Sequence, residues 1–93
     1  MKKYKHPKVY FRKLGRENAN GQMHDFGKLK FIEIDPRIKG KLLLDTFIHE
    51  RLHFIFPDMH EDREENPDAD GVKEIAEIMA DFLWKHGYRK TDG

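Results

Sequence analysis

Apolar and polar positions group along this chain into five blocks that predict secondary structure. Val9-Tyr10-Phe11-Arg12-Lys13-Leu14 combines β-branched and aromatic residues and predicts a strand. Gly15 to Gly21, with two Asn and two Gly, reads as a turn. Gln22 to Phe26 predicts a second, shorter strand, punctuated by Gly27. Leu29-Lys30-Phe31-Ile32-Glu33-Ile34 is the clearest strand, and Asp35-Pro36 stops it. After Gly40 the pattern changes to helical spacing. Leu44, Phe47, Ile48, Leu52 and Ile55 fall on one apolar surface of a helix over Lys41–Phe56, closed by Pro57. That helix is apolar over more than half its circumference, so a central, buried place is expected. Asp58 to Gly71 is polar, with room for one short helical turn after Asp58. Val72 to His86 predicts a second helix, with Val72, Ile75, Ala76, Met79, Phe82 and Leu83 as its apolar stripe and Glu74, Glu77 and Asp81 opposite. Gly87 is its stop. Strands first and helices after predict an α+β fold: a small antiparallel β-sheet packed on the first helix, with the second helix backing it.

Length then limits the organisation. A chain of 93 residues makes one domain, with residues 1–7 and 90–93 expected to fray. A domain of this size buries about 60–65% of its unfolded surface, so a bound metal would add usefully to its stability. Charged residues make up 38% of the chain, which fits a water-soluble protein, while seven Phe, three Tyr and one Trp argue against disorder. The absence of cysteine excludes disulfides and thiolate metal sites and suits a reducing cytoplasm. No apolar run approaches the roughly 20 residues of a membrane span. The basic start lacks the apolar segment of a secretory signal.

Charge is uneven although its sum is +1. Lys2 to Arg16 holds seven basic residues and no acidic one, and Asp58 to Asp70 holds seven acidic residues against Arg63 alone. Two solvated stretches attracting each other are the plain reading. A nucleic-acid arm and an acidic loop near a cation are the sharper one.

The chemistry concentrates in His49-Glu50-Arg51-Leu52-His53, an H-E-x-x-H motif inside the first helix. A spacing of i and i+4 puts both imidazoles on one face, where they can share one metal ion, and imidazole suits zinc. Glu50 sits beside such a site, placed to take a proton from a metal-bound water and return it to a leaving amine. The plain alternative is two helix histidines that only pack or face solvent. Burying them unpaired with a glutamate would be costly. A catalytic zinc site needs a third protein ligand, and the candidates after Pro57 are His60, Glu61, Glu65, Asp70, Glu74 and Glu77. Glu74 and Glu77 point away from the second helix's apolar stripe. His60 and Glu61 follow His53 closely enough to fold back on the metal, while Glu61 also fits a capping box with Asp58.

These residues resemble a known family. Ile34-Asp35-Pro36, Gly40, Leu44 through His53, Phe56-Pro57-Asp58-Met59 with Glu61, and Phe82-Leu83-Trp84-Lys85 with Gly87-Tyr88-Arg89 are similar to the small phage and prophage zincin-like metallopeptidases. Size and motif also resemble the minigluzincins. The resemblance covers about Val9 to Arg89 and departs from the family between Asp62 and Gly71, where this chain carries an acidic insertion. It implies a sheet over an active-site helix and a backing helix, a zinc ion on His49, His53 and Glu61, Glu50 as catalytic base, and a place in a host cytoplasm.

The leading functional expectation is a zinc metallohydrolase acting on a peptide or protein substrate. The alternatives are a catalytically silent, zinc-stabilised binding module and, ranked last, a nucleic-acid-associated protein using the basic arm. His24 and His86 are expected to be structural or exposed, with His86 on the stripe side of the last helix. Trp84 is expected to pack, and Tyr88 to cap the core or to donate to an oxyanion. Lys28 to Ile34 is the expected sheet edge for pairing with an extended substrate.

Overall fold

A computed structural model describes residues 4–15 and 19–88. The basic residues Lys2, Lys3 and Arg16 and the C-terminal tail from Arg89, including the expected frayed end, lie outside the described residues. Residues 4–7 carry no regular structure, though the His6 ring accepts a hydrogen bond from Arg51 Nε (3.2 Å). Three strands precede two helices: β1 (Lys8–Phe11), β2 (Gly21–Phe26), β3 (Leu29–Ile34), α1 (Gly40–Ile55) and α2 (Val72–Lys85). This is a small α+β fold. No helix among the described residues is long and apolar enough to cross a membrane.

The sheet is mixed, which corrects the antiparallel expectation. Its order is β1-β3-β2, with β2 antiparallel and β1 parallel to β3. The chain reverses between β1 and β2 and again at the two-residue Gly27-Lys28 hairpin, so β3 returns parallel to β1. Gly27 takes a φ of +78° there, which suits a tight hairpin turn. β3 goes between the other two because its Ile32 and Ile34 are the most deeply buried residues of the sheet. It follows that β3 is not the expected edge; β1 and β2 are.

Asp35, just past β3, fastens this arrangement. Its buried carboxylate accepts hydrogen bonds from the Leu14 N–H (3.1 Å), the Arg37 N–H (2.9 Å) and Arg37 Nε (2.8 Å). Its own N–H donates to the Asn20 carbonyl (2.9 Å). Both flanks of the β1–β2 connection are thereby tied to the end of β3. The same contacts bury Leu14 completely.

α1 lies between two apolar clusters. Toward the sheet, Leu43 packs with Ile32 and Ile34, joined by Ile38, Phe47 and Phe54. Toward α2, Leu52 packs with Val72 and Ala76, joined by Ile48, Met59 and Ile75. α2 touches α1 but not the strands, among the described residues. A single ridge of small residues, Val72, Ala76 and Ala80, therefore suffices for it. Met79 and Phe82, expected in that stripe, are exposed, and Phe82 rests on His86 outside the core (ring centroids 4.6 Å). Ile55, on the expected buried face of α1, is 50% exposed.

The helix ends follow local chemistry. Gly87 (φ +86°) and Tyr88 donate to the Trp84 and Leu83 carbonyls, a Schellman closure of α2. Gly40 (φ +64°) opens α1, and a β-carbon there would lie 3.4 Å from the Trp84 ring, which gives Trp84 its packing role. No helix begins at Asp58; the short turn expected in this stretch lies at Asp62–Asn66. Asp62 caps that single turn: its Oδ1 accepts the Glu64 and Glu65 N–H groups (3.0 and 3.2 Å) and its carbonyl those of Glu65 and Asn66 (3.2 and 3.3 Å).

Gly71 is the tightest point. A β-carbon there would lie 2.6 Å from backbone atoms of Glu61 and Asp62, which cannot swing aside. Gly71→Ala is expected to lose about 1–3 kcal/mol in urea unfolding, whereas Gly15→Ala, whose nearest neighbour would be an Arg37 side-chain atom at 3.6 Å, should stay near wild type.

A second prediction concerns pH. The Arg37 side chain, helped by two backbone N–H groups, holds the Asp35 carboxyl far below its ordinary 3.8. A depressed carboxyl stabilises the fold above its unfolded value and loses that contribution as pH falls below it. Asp35→Asn should lower the melting temperature at neutral pH and flatten the acid limb of the stability curve below 3.8.

Candidate metal centre

One turn of α1 separates His49 from His53, and their ring centroids lie 5.0 Å apart. The rings do not diverge. His49 Nε2 lies 2.6 Å from Glu61 Oε1 and His53 Nε2 lies 3.1 Å from Glu61 Oε2, so one carboxylate spans both nitrogens. The group that could hold an ion is His49, Glu50 and His53, whose donor atoms all lie within 4.8 Å of one another; Glu61 is not a member of it.

Glu61 is placed by backbone contacts rather than by a helix of its own. The first N–H groups of a helix lack intrahelical partners. In α2 those of Val72 and Lys73 donate to the His60 and Glu61 carbonyls (3.1 and 2.8 Å). The Glu61 N–H donates to Glu65 Oε2 (2.9 Å). The capping box with Asp58 considered for Glu61 has no helix to cap. The real N-terminal device belongs to α2, where Glu74 Oε1 accepts the Gly71 N–H (2.9 Å).

The other candidate donors are occupied elsewhere or stand apart. His60 Nε2 lies 2.9 Å from the Ala69 carbonyl. Glu65 supports the Glu61 backbone, Glu74 caps α2, and Asp70 pairs with Arg63 at 2.5 Å. Glu77 lines a cavity beside His49 without contacting the imidazoles as an ion pair. His24 lies 2.7 Å from Glu33 Oε1 and stacks on Phe31, and His86 is exposed at the end of α2.

Glu50 is 7% exposed and, among the described residues, its carboxylate accepts no hydrogen bond. Burial raises its pKa above the ordinary 4.5; His49 opposes the shift and Glu61 reinforces it. Burial holds the His53 imidazole below its ordinary 6.5, with Glu61 opposing and His49 adding to the fall. That direction favours the neutral imidazole, the form that binds metal.

One contributor escaped the sequence reading. Gly21 lets β2 approach α1 at the site, since a β-carbon there would lie 2.7 Å from Thr46 Cγ2 and 3.1 Å from Glu50 Cγ. A lone glycine at a strand end, usually read as part of a turn, is also the mark of such close approach.

Comparison of the chain with protein-family models, with curated proteins and with solved structures finds no match. The functional argument therefore rests on the chain's own residues. Two titrations check the electrostatics of the metal-free protein. Carbon-13 NMR should find Glu50 titrating above 4.5. Glu61→Gln, by removing the opposing carboxylate, should lower the His53 pKa further; an unchanged or raised value would contradict the assigned cause.

Proposed function

We propose that this protein is a zinc-dependent hydrolase of the zincin type that cleaves peptide bonds. The observation that carries the reading is the meeting of two imidazole Nε2 atoms on a single carboxylate, with a buried second carboxylate alongside. Two imidazoles and a carboxylate are a donor set suited to zinc, and three protein donors fit a catalytic rather than a closed structural site. His49 and His53 would hold the ion through Nε2 and Glu61 through its carboxylate. The bound ion supplies Lewis acidity, polarising a carbonyl and lowering the pKa of water.

The chain's own residues do the rest. The Glu50 carboxylate takes the proton from the attacking water and delivers it to the leaving nitrogen. A raised proton affinity helps a carboxylate serve in both directions. β2, an edge strand whose Gly21 adjoins Glu50, offers unpaired backbone groups to an extended substrate.

The silent-module reading asks for a fourth protein donor to close the site. His60, the nearest candidate in sequence, faces the Ala69 carbonyl instead. Hydrolysis is accordingly the reading we adopt.

The expected outcome is about one zinc per chain by elemental analysis, lost in His49→Ala. Glu50→Gln should retain zinc while losing about 10²–10⁴-fold in peptide hydrolysis. Cleavage by Glu50→Gln at the wild-type rate would overturn the role given to Glu50.

A further inference from the structure

We propose that the cavity beside His49 and Glu50 is a cation subsite, which selects substrates with a lysine or arginine side chain near the cleaved bond; this rests on the hydrolase reading above. The cavity, about 280 Å³, is lined by Gly21, Asp45, His49, Glu50, Lys73 and Glu77 among others. That is far more than the roughly 30 Å³ of a single water, so it admits a side chain and not merely an ion.

Its charge is unbalanced. Asp45, Glu50 and Glu77 bring three carboxylates against the one ammonium of Lys73. Among the described residues, none of these carboxylates lies within ion-pair distance of a lysine or arginine, and none accepts a hydrogen bond. Several acidic side chains elsewhere in the fold are paired: Asp81 with Lys41 and Lys85, Asp70 with Arg63, Asp35 with Arg37, Glu33 with Arg12. Glu50, only 7% exposed, turns its carboxylate oxygens into this space, where they meet solvent and accept no hydrogen bond from the described residues. Burial first and the nearby Glu77 carboxylate second push the Asp45 pKa up, with His49 and Lys41 opposing.

An ammonium or guanidinium entering from a substrate would meet two or more carboxylates and form charge-assisted hydrogen bonds, the strong kind. The pocket reaches the two residues that would hold and activate the reacting groups. A side chain seated in it therefore fixes the position of the adjacent backbone. Asp45 and Glu77 act here as specificity residues and take no part in proton transfer.

The test uses the full chain and a set of hexapeptides differing at one position: lysine, arginine, norleucine or glutamate. With zinc-free protein, binding is read by fluorescence anisotropy. Lysine and arginine peptides should bind about tenfold tighter than norleucine, and the isosteric double variant Asp45→Asn, Glu77→Gln should erase the difference. Lys73→Met, which removes the competing ammonium, should widen it. Equal binding of lysine and norleucine peptides, or a preference that survives in the double variant, overturns the proposal. The zinc-loaded protein separates the two readings. Cleavage without a basic preference would remove the subsite and keep the hydrolase. A basic preference in binding with no cleavage of any peptide would keep the subsite and remove the hydrolase.

Discussion

The hydrogen bonds from the first turn of α2 to the His60 and Glu61 carbonyls are the constraint on which the site depends. Helix N-termini leave donors that must find partners when they are buried. Here the partners come from a loop with no regular structure of its own, so satisfying α2 fixes the backbone of Glu61. Gly71 permits the approach, because any β-carbon would collide with that same backbone. Val72 and Ala76 then dock α2 on Leu52 of α1. His49 and His53 on α1 and Glu61 in the loop are thus joined through a closed circuit of short contacts, and a carboxylate on an irregular segment still has a defined position beside the imidazoles.

The sheet contributes from the other side. Ile32 and Ile34 of β3 fix the height of α1 through Leu43, and Asp35 ties the β1–β2 connection to the end of β3. β2 therefore starts beside Glu50, with Gly21 supplying the clearance. Glu50 ends up largely buried, with its carboxylate opening into the cavity beside His49, and burial raises its proton affinity. A raised proton affinity suits the proton-transfer role proposed for it.

Much of this was legible in the chain, for reasons that differ by residue. The strand over Leu29–Ile34 and both helices follow from local periodicity, and their ends from Pro36, Pro57 and Gly87, so their observed bounds agree with the pattern within a residue or two. The pairing of His49 with His53 is a property of helical spacing alone. Strand order is a long-range fact, and no local pattern told that β3 would part β1 from β2. Nor did periodicity reveal that α2 needs only one ridge, which left Met79 and Phe82 in solvent. Family resemblance singled out Glu61 among six acidic or histidine candidates. The residues themselves did not, since the deciding contacts are backbone hydrogen bonds that carry no sequence signature.

The most direct test is X-ray absorption at the zinc edge of the loaded protein, wild type beside Glu61→Gln and His53→Ala. Two imidazoles at about 2.0–2.1 Å with carboxylate oxygen in the shell, the imidazole count falling in His53→Ala and the oxygen shell changing in Glu61→Gln, is the predicted result. A protein that takes up no zinc, or whose spectrum is the same in all three forms, would contradict the account.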